Sequence, residues 1–192
     1  MSLTFITFDL HLKLLIFLAF KEKLLQIFNS NYKNAANIYE FTVKDIKGEE
    51  VSLKKYKGHV CIIINVASNC SMAEDCYQEL NELYEQYGET KGLKILAFPC
   101  DQFDFLEFKN NEKISEFIAE RNVQFDLFDK VIVNGSDTHP LWKYLKYNSK
   151  ISGNHIKWNF SKFIVNKGGE VVEFYTPVKN PKEMIPSLEK YF

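Results

Sequence analysis

The cysteines of this chain are unevenly placed, and one of them stands where sulfur could react. Of the 4 cysteines, at positions 61, 70, 76 and 100, Cys70 follows a β-rich apolar run and a polar break. The run is Ile62-Ile63-Ile64-Asn65-Val66-Ala67, the break is Ser68-Asn69, and a helical spacing of apolar residues begins just behind Cys70. Strand, turn and helix in that order put a cysteine where backbone N–H groups point outward and the helix dipole is positive. Both effects favour the thiolate, which is the nucleophilic form. Cys61 and Cys100 lie in or at the end of apolar runs and read as small buried hydrophobes. There is no Cys-x-x-Cys and no paired Cys/His spacing, which argues against a zinc site and against a thioredoxin-type dithiol. A protein with its cysteines mostly reduced, using Cys70 as a nucleophile, is the expectation.

Three later stretches are candidates for the surroundings of that sulfur. Phe98-Pro99-Cys100-Asp101-Gln102-Phe103 ends a second apolar run, and active groups of open α/β sheets gather at the carboxyl ends of strands. Gln102 is therefore expected to face Cys70. Trp158-Asn159-Phe160 offers an indole N–H and an amide, neutral donors suited to an anionic sulfur or a departing oxygen. Asp137-Thr138-His139-Pro140 is the third. Singly, each also has an ordinary structural reading: glutamine and asparagine as turn residues, tryptophan as core.

The elements that must position these residues follow from pattern. With 192 residues and 46% apolar content the chain is one domain with an extension, divided here as 1–36 and 37–192. Residues 14–20 are strongly apolar but charged on both sides and too short to span a bilayer. Their spacing predicts an amphipathic helix, with a targeting segment as the alternative. The 24 Lys+Arg nearly balance the 25 Asp+Glu, so no basic field for nucleic acid exists. Arg121 is the sole arginine, which argues against bidentate phosphate recognition. A hairpin is expected around Asp45-Ile46-Lys47-Gly48, then strands at 60–66 and 93–98 with a helix between them that stops at Gly88. Short helices follow around Ile114 and from Pro140, then a hairpin turning at Asn166-Lys167-Gly168-Gly169, then a last helix from Asn180-Pro181 shortened by Pro186. Strands alternating with helices before an antiparallel pair predict an α/β fold: a central mixed β-sheet with helices on both faces and an N-terminal β-hairpin.

Read together, these stretches carry a resemblance. Asn65-Val66-Ala67-Ser68-x-Cys70, Leu96-Ala97-Phe98-Pro99-Cys100-x-Gln102-Phe103, His139-Pro140-Leu141 and Trp158-Asn159-Phe160-x-Lys162-Phe163, in this order and spacing, resemble the glutathione peroxidase family over residues 38–192. The resemblance implies a thioredoxin-like fold and a peroxidatic centre at Cys70, where many members carry selenocysteine. Gln102, Trp158 and Asn159 would complete the family's tetrad. It implies reduction of hydrogen peroxide and organic or lipid hydroperoxides through a Cys70 sulfenic acid, a protection against oxidative stress. No bound cofactor or metal is implied; the reducing co-substrate is expected to be glutathione first and thioredoxin second. The short path from Asn148 to Trp158 matches the monomeric, lipid-hydroperoxide-tolerant members. Lys143, Lys146, Lys150 and Lys157 would then attract anionic lipid head groups or glutathione carboxylates. A cytoplasmic location is expected, with secretion or an organelle as the alternative if residues 1–36 are a targeting segment.

The sequence also departs from the family pattern near the proposed centre. Ser71, Ala73 and Cys76 replace the usual glycine, threonine and asparagine; Asp104 replaces a glycine; Leu106-Glu107-Phe108-Lys109 replaces Gln-Glu-Pro-Gly. The family's resolving cysteine would fall near Ile118, and Cys76 lies about 9 Å along a helix from Cys70, beyond disulfide reach. These departures motivate a second expectation, a redox sensor or binding module that relays Cys70 oxidation to a partner thiol.

Overall fold

Ile62-Ile63-Ile64 and Ile95-Leu96-Ala97 are apolar on both sides of the pleat, which suits strands covered on both faces. In the computed structural model of the chain, Phe17 and residues 31–149 and 151–192 are described. The N-terminal helix or targeting segment expected before residue 31 lies, Phe17 apart, outside them, as does Lys150. Strands β1 (Thr42–Lys44) and β2 (Glu50–Ser52) form the expected antiparallel hairpin. The central sheet is built from β3 (Cys61–Val66), β4 (Lys94–Pro99), β5 (Asp126–Leu127), β6 (Lys162–Val165) and β7 (Val171–Tyr175), in the order β5-β4-β3-β6-β7. β3 runs parallel to β4 and antiparallel to β6, so the sheet is mixed, as expected.

Four α-helices cover it: α1 (Ala73–Tyr87), α2 (Asn111–Glu120), α3 (Pro140–Ser149) and α4 (Ile185–Tyr191). Alternate β3 residues Ile62, Ile64 and Val66 share one buried cluster with Tyr77, Leu80 and Leu83 of α1, Ile114 of α2 and Leu188 of α4. The other face is closed by α3, whose Trp142 ring lies 5.9 Å from Phe98 and 5.8 Å from Phe163. Among the described residues no helix is long and apolar enough to cross a membrane.

Three details differ from expectation. β5 is only 2 residues long, too short for any alternation of apolar and polar residues to register. The last helix is split: a 3₁₀ turn at Pro181–Met184, closed by a capping box between Asn180 and Glu183, precedes α4, which has Pro186 in its first turn. Gly88 keeps helical backbone angles, and the left-handed residue that turns the chain is Gly92 at φ +72°.

Helix α3 explains His139. The Leu141 N–H donates to His139 Nδ1 at 3.2 Å, and Thr138 Oγ1 donates to the Gly135 carbonyl at 2.8 Å, so this stretch is spent on starting the helix. Burial lowers the His139 pKa to about 4, with repulsion from Lys143 adding to it. The unfolded ring, with a pKa of about 6.5, then binds a proton that the folded one refuses. This histidine's contribution to stability is full above pH 6.5 and is lost as the pH falls toward 4. His139→Asn, which keeps an acceptor and cannot titrate, should show a smaller loss of urea-unfolding stability between pH 6.5 and 4 than the parent. Equal losses would refute this account of His139.

Candidate active site

The chain leaves β3 at Val66 and turns at once. The Cys70 N–H donates to the Ala67 carbonyl at 3.3 Å, and the Ala73 N–H donates to the Cys70 carbonyl at 2.9 Å. α1 then opens with no side-chain cap, which leaves the first-turn N–H groups, and their positive dipole end, on the side of the turn. Cys70 is 6% exposed, and its sulfur has no hydrogen-bond partner among the described residues. The other three cysteines are buried as well, at 0–3% exposed. Burial pushes the Cys61 thiol up to about 12 and those of Cys76 and Cys100 up to about 11. Those three remain protonated near neutrality and are poor nucleophiles there.

Two loops are fastened here, one to the turn and one to the end of the strand that leads into it. On one side, Glu107 Oε1 accepts from the Ser68 N–H at 3.2 Å and from the Phe108 N–H at 2.8 Å, and the Asn69 N–H donates to the Leu106 carbonyl at 2.8 Å. Burial raises the Glu107 pKa against the lowering effect of its hydrogen bonds to Ser68 and Phe108. On the other side, Asn65 Nδ2 donates to the Trp158 carbonyl at 3.2 Å, and its Oδ1 accepts from the Ser161 N–H at 3.0 Å. The Asn65 carbonyl also accepts from the Phe160 N–H at 2.7 Å. Phe160 is fully buried at φ +64°, a left-handed geometry that costs a bulky residue about 1 kcal/mol. Lys162, fully buried, holds it by donating to its carbonyl at 2.7 Å, and burial lowers that lysine to about 8. The loops touch each other through the Phe103 and Trp158 rings, 5.9 Å apart.

The expected donors are placed as follows. Gln102 Oε1 accepts from the Val133 and Asn134 N–H groups at 2.7 and 3.0 Å, and Nε2 donates to the Asn134 carbonyl at 3.0 Å. Its amide is thus engaged mainly by the 133–134 segment, with a weak donation from Cys100 Sγ to Oε1 at 3.9 Å and one Nε2 hydrogen left over. Trp158 is half-buried. Asn159 is fully buried, yet neither its Nδ2 nor its Oδ1 has a protein partner. An unmade bond at such a group costs about 1–3 kcal/mol, so a buried free amide is a reserve of hydrogen-bonding capacity.

Lys146 departs from expectation: it is 5% exposed, its Nζ donates to the Val133 carbonyl at 2.7 Å, and it cannot meet a head group. Ser71 is not in the left-handed region, so the missing glycine costs no backbone strain there, whereas Asp104 and Phe105 both sit at φ +53°. Asn65, Glu107, Asn134 and Lys162 are the residues that pattern reading passes over. Asn65 and Glu107 nevertheless share a legible mark, a strongly polar residue with apolar neighbours on both sides along the chain.

Comparison with known proteins places the chain in a family. The family model described as glutathione peroxidase matches residues 38–146. The chain is 48% identical over 165 residues to the phospholipid hydroperoxide glutathione peroxidase of Sapajus apella, spanning 84% of this chain and 83% of that one. It is 49% identical over 164 residues to the protein of the same name from Bos taurus, spanning 84% and 83%. The crystal structure of T. cruzi GPX1 superposes with TM-score 0.66 at 32% identity, over 81% of this chain and 95% of that one. A thioredoxin-family thiol:disulfide interchange protein from Chlorobium tepidum superposes with TM-score 0.58 at 9% identity over 79% and 92%, which establishes the thioredoxin-like fold alone.

The Glu107 clamp makes a direct prediction. Glu107→Ala leaves two buried N–H groups without acceptors and should lower urea-unfolding stability at pH 7 by about 1–3 kcal/mol. Glu107→Gln, which keeps an acceptor oxygen, should lose less than half as much. Equal losses in the two variants would mean that the carboxylate oxygen does not hold the turn.

Proposed function

The chain belongs to the glutathione peroxidase family, and we propose that it is a thiol-dependent hydroperoxide reductase whose reacting atom is the Cys70 sulfur. The observation that supports this most is the fastening of both donor-bearing loops to one strand-and-turn unit, the 106–108 loop to the turn at Ser68-Asn69 and the 158–161 loop to Asn65 at the end of β3. The Cys70 thiolate attacks the terminal oxygen of the peroxide, an S–O bond forms and the O–O bond breaks. The electron pair leaves on the departing oxygen, which takes a proton to become water or an alcohol. Sulfur is oxidised to the sulfenic acid and the peroxide is reduced. The spare Nε2 hydrogen of Gln102, the Trp158 indole and the Asn159 amide supply neutral donors to the sulfur and to the charge that develops on oxygen.

Glutathione closes the cycle. One thiol displaces water from the sulfenic acid and forms a mixed disulfide with Cys70; a second attacks that disulfide, releases the Cys70 thiolate and leaves oxidised glutathione. An external thiol is favoured because Cys76 and Cys100 are buried and held protonated. Thioredoxin is the alternative reductant. Lipid hydroperoxides belong to the substrate range, since the relatives are named for them. The exposed Phe105 and Lys109 on the loop after Gln102, with Lys113 in the first turn of α2, give a rim for membrane-lipid contact. A monomer in the cytoplasm completes the proposal. The redox-sensor reading is not favoured, because the departures at Ser71 and Ala73 leave the turn intact.

Cys70→Ser should abolish peroxide-dependent oxidation of glutathione while circular dichroism and the thermal midpoint stay near the parent's; undiminished turnover would sink the assignment. Gln102→Ala should slow the peroxide step by roughly ten- to a thousandfold, the scale of one oriented donor. A rate equal to the parent's would make Gln102 a loop brace only. Mass spectrometry after peroxide and then glutathione should find a Cys70–glutathione disulfide. An internal Cys70–Cys76 or Cys70–Cys100 disulfide would contradict the external-thiol step.

A further inference from the structure

We infer that Asn134 is a positioning residue for the peroxide step, holding Gln102 and the segment that enters Trp158 and Asn159 in one frame. The inference rests on the peroxidase reading and deepens it. Gln102, Asn134 and Ile156 come from separate loops, and Asn134 bonds to both of the others. Its backbone pairs with the Gln102 amide in both directions: the Asn134 N–H donates to Oε1 at 3.0 Å and the Asn134 carbonyl accepts from Nε2 at 3.0 Å. Its side chain pairs with the Ile156 backbone in both directions: Nδ2 donates to the carbonyl at 2.9 Å and Oδ1 accepts from the N–H at 3.0 Å.

A single hydrogen bond lets its partners swivel about the donor–acceptor line, whereas a reciprocal pair fixes orientation as well as distance. Asn134 makes two such pairs at once, one through its main chain and one through its side chain. The first settles which edge of the Gln102 amide is occupied and therefore where its remaining N–H points. The second fixes Ile156, fully buried and two positions before Trp158. Neither the Gln102 amide nor the Ile156 backbone can turn without breaking bonds to Asn134. Lys146 braces the third side: buried, it donates to the Val133 carbonyl at 2.7 Å and to Asn134 Oδ1 at 3.5 Å, and no carboxylate pairs with it among the described residues. Asparagine suits the position because aspartate lacks the donor that Ile156 needs, leucine lacks both groups, and glutamine is one methylene too long.

The test separates positioning from folding. Oxidation of Cys70 by hydrogen peroxide, followed by stopped flow without a reducing thiol, is compared with alkylation of Cys70 by iodoacetamide, which needs no donor for a leaving oxygen. Asn134→Asp keeps the acceptor for Ile156 and Lys146, loses the donor to the Ile156 carbonyl and adds a charge that the Lys146 ammonium faces. It should slow peroxide oxidation about tenfold, and Asn134→Leu about a hundredfold, on the scale of a misplaced catalytic group. Alkylation should stay within about twofold in both. In a Gln102→Ala background Asn134→Asp should cost markedly less than in the parent, since the groups act as one unit. An unchanged peroxide rate would overturn the inference, as would equal falls in both reactions or full additivity with Gln102→Ala. Should Asn134→Leu fail to fold, Asn134→Asp and Lys146→Met carry the test, with Lys146→Met expected to slow peroxide oxidation and spare alkylation. A parent protein that reacts with iodoacetamide but not with peroxide would instead remove the peroxidase reading itself.

Discussion

A peptide group that leaves a β-ladder while still buried must find another partner, because no bulk water reaches it. At the carboxyl ends of β3 and β4 the segments around residues 67–70, 100–108, 131–136 and 156–161 meet with no regular pairing to absorb their N–H and C=O groups. Side chains do the pairing instead. Asn65 serves Trp158 and Ser161, Gln102 serves Val133 and Asn134, Asn134 serves Ile156, and Glu107 serves Ser68 and Phe108. The bonds that satisfy these loops also tie them to one another and to the strand and turn that lead to Cys70, so their order follows from the pairing of buried peptides.

That view explains why the departures from the family pattern are tolerated. Ser71 needs no glycine geometry, and Ala73 costs only a cap on a helix whose free N–H groups face the Cys70 turn. Asp104, by contrast, occupies φ +53°, where glycine is easier, and Asp tolerates that region better than most residues. What is held in reserve is as informative as what is bound. Asn159 is buried with both amide atoms unpartnered by any described protein group.

Much of this was legible in the sequence, for identifiable reasons. Cys70 was legible because a polar break after an apolar run is a strong local signal, and the hairpins because Asp-Ile-Lys-Gly and Asn-Lys-Gly-Gly are strong turn formers. The alternation of strands and helices fixed the sheet's mixed character. β5 was not legible, since two residues have no period. The roles of Asn65, Glu107 and Asn134 were not legible either, because their hydrogen bonds reach partners 39, 22 and as many as 96 positions away. Lys146 looked like surface because lysine is rarely buried, and only the loop carbonyl it serves explains its place. Gln102 was expected to face Cys70; its engagement with the 133–134 backbone depends on a fold-level approach that no local pattern encodes.

The central claim is that one sulfur reacts because of where its turn stands, while three others are held inert by burial. Trapping with dimedone after one equivalent of hydrogen peroxide, read by peptide mass spectrometry, tests it most directly. The account predicts a sulfenic-acid adduct on Cys70, with Cys61, Cys76 and Cys100 unmodified. An adduct on any of those three in place of Cys70 would contradict it.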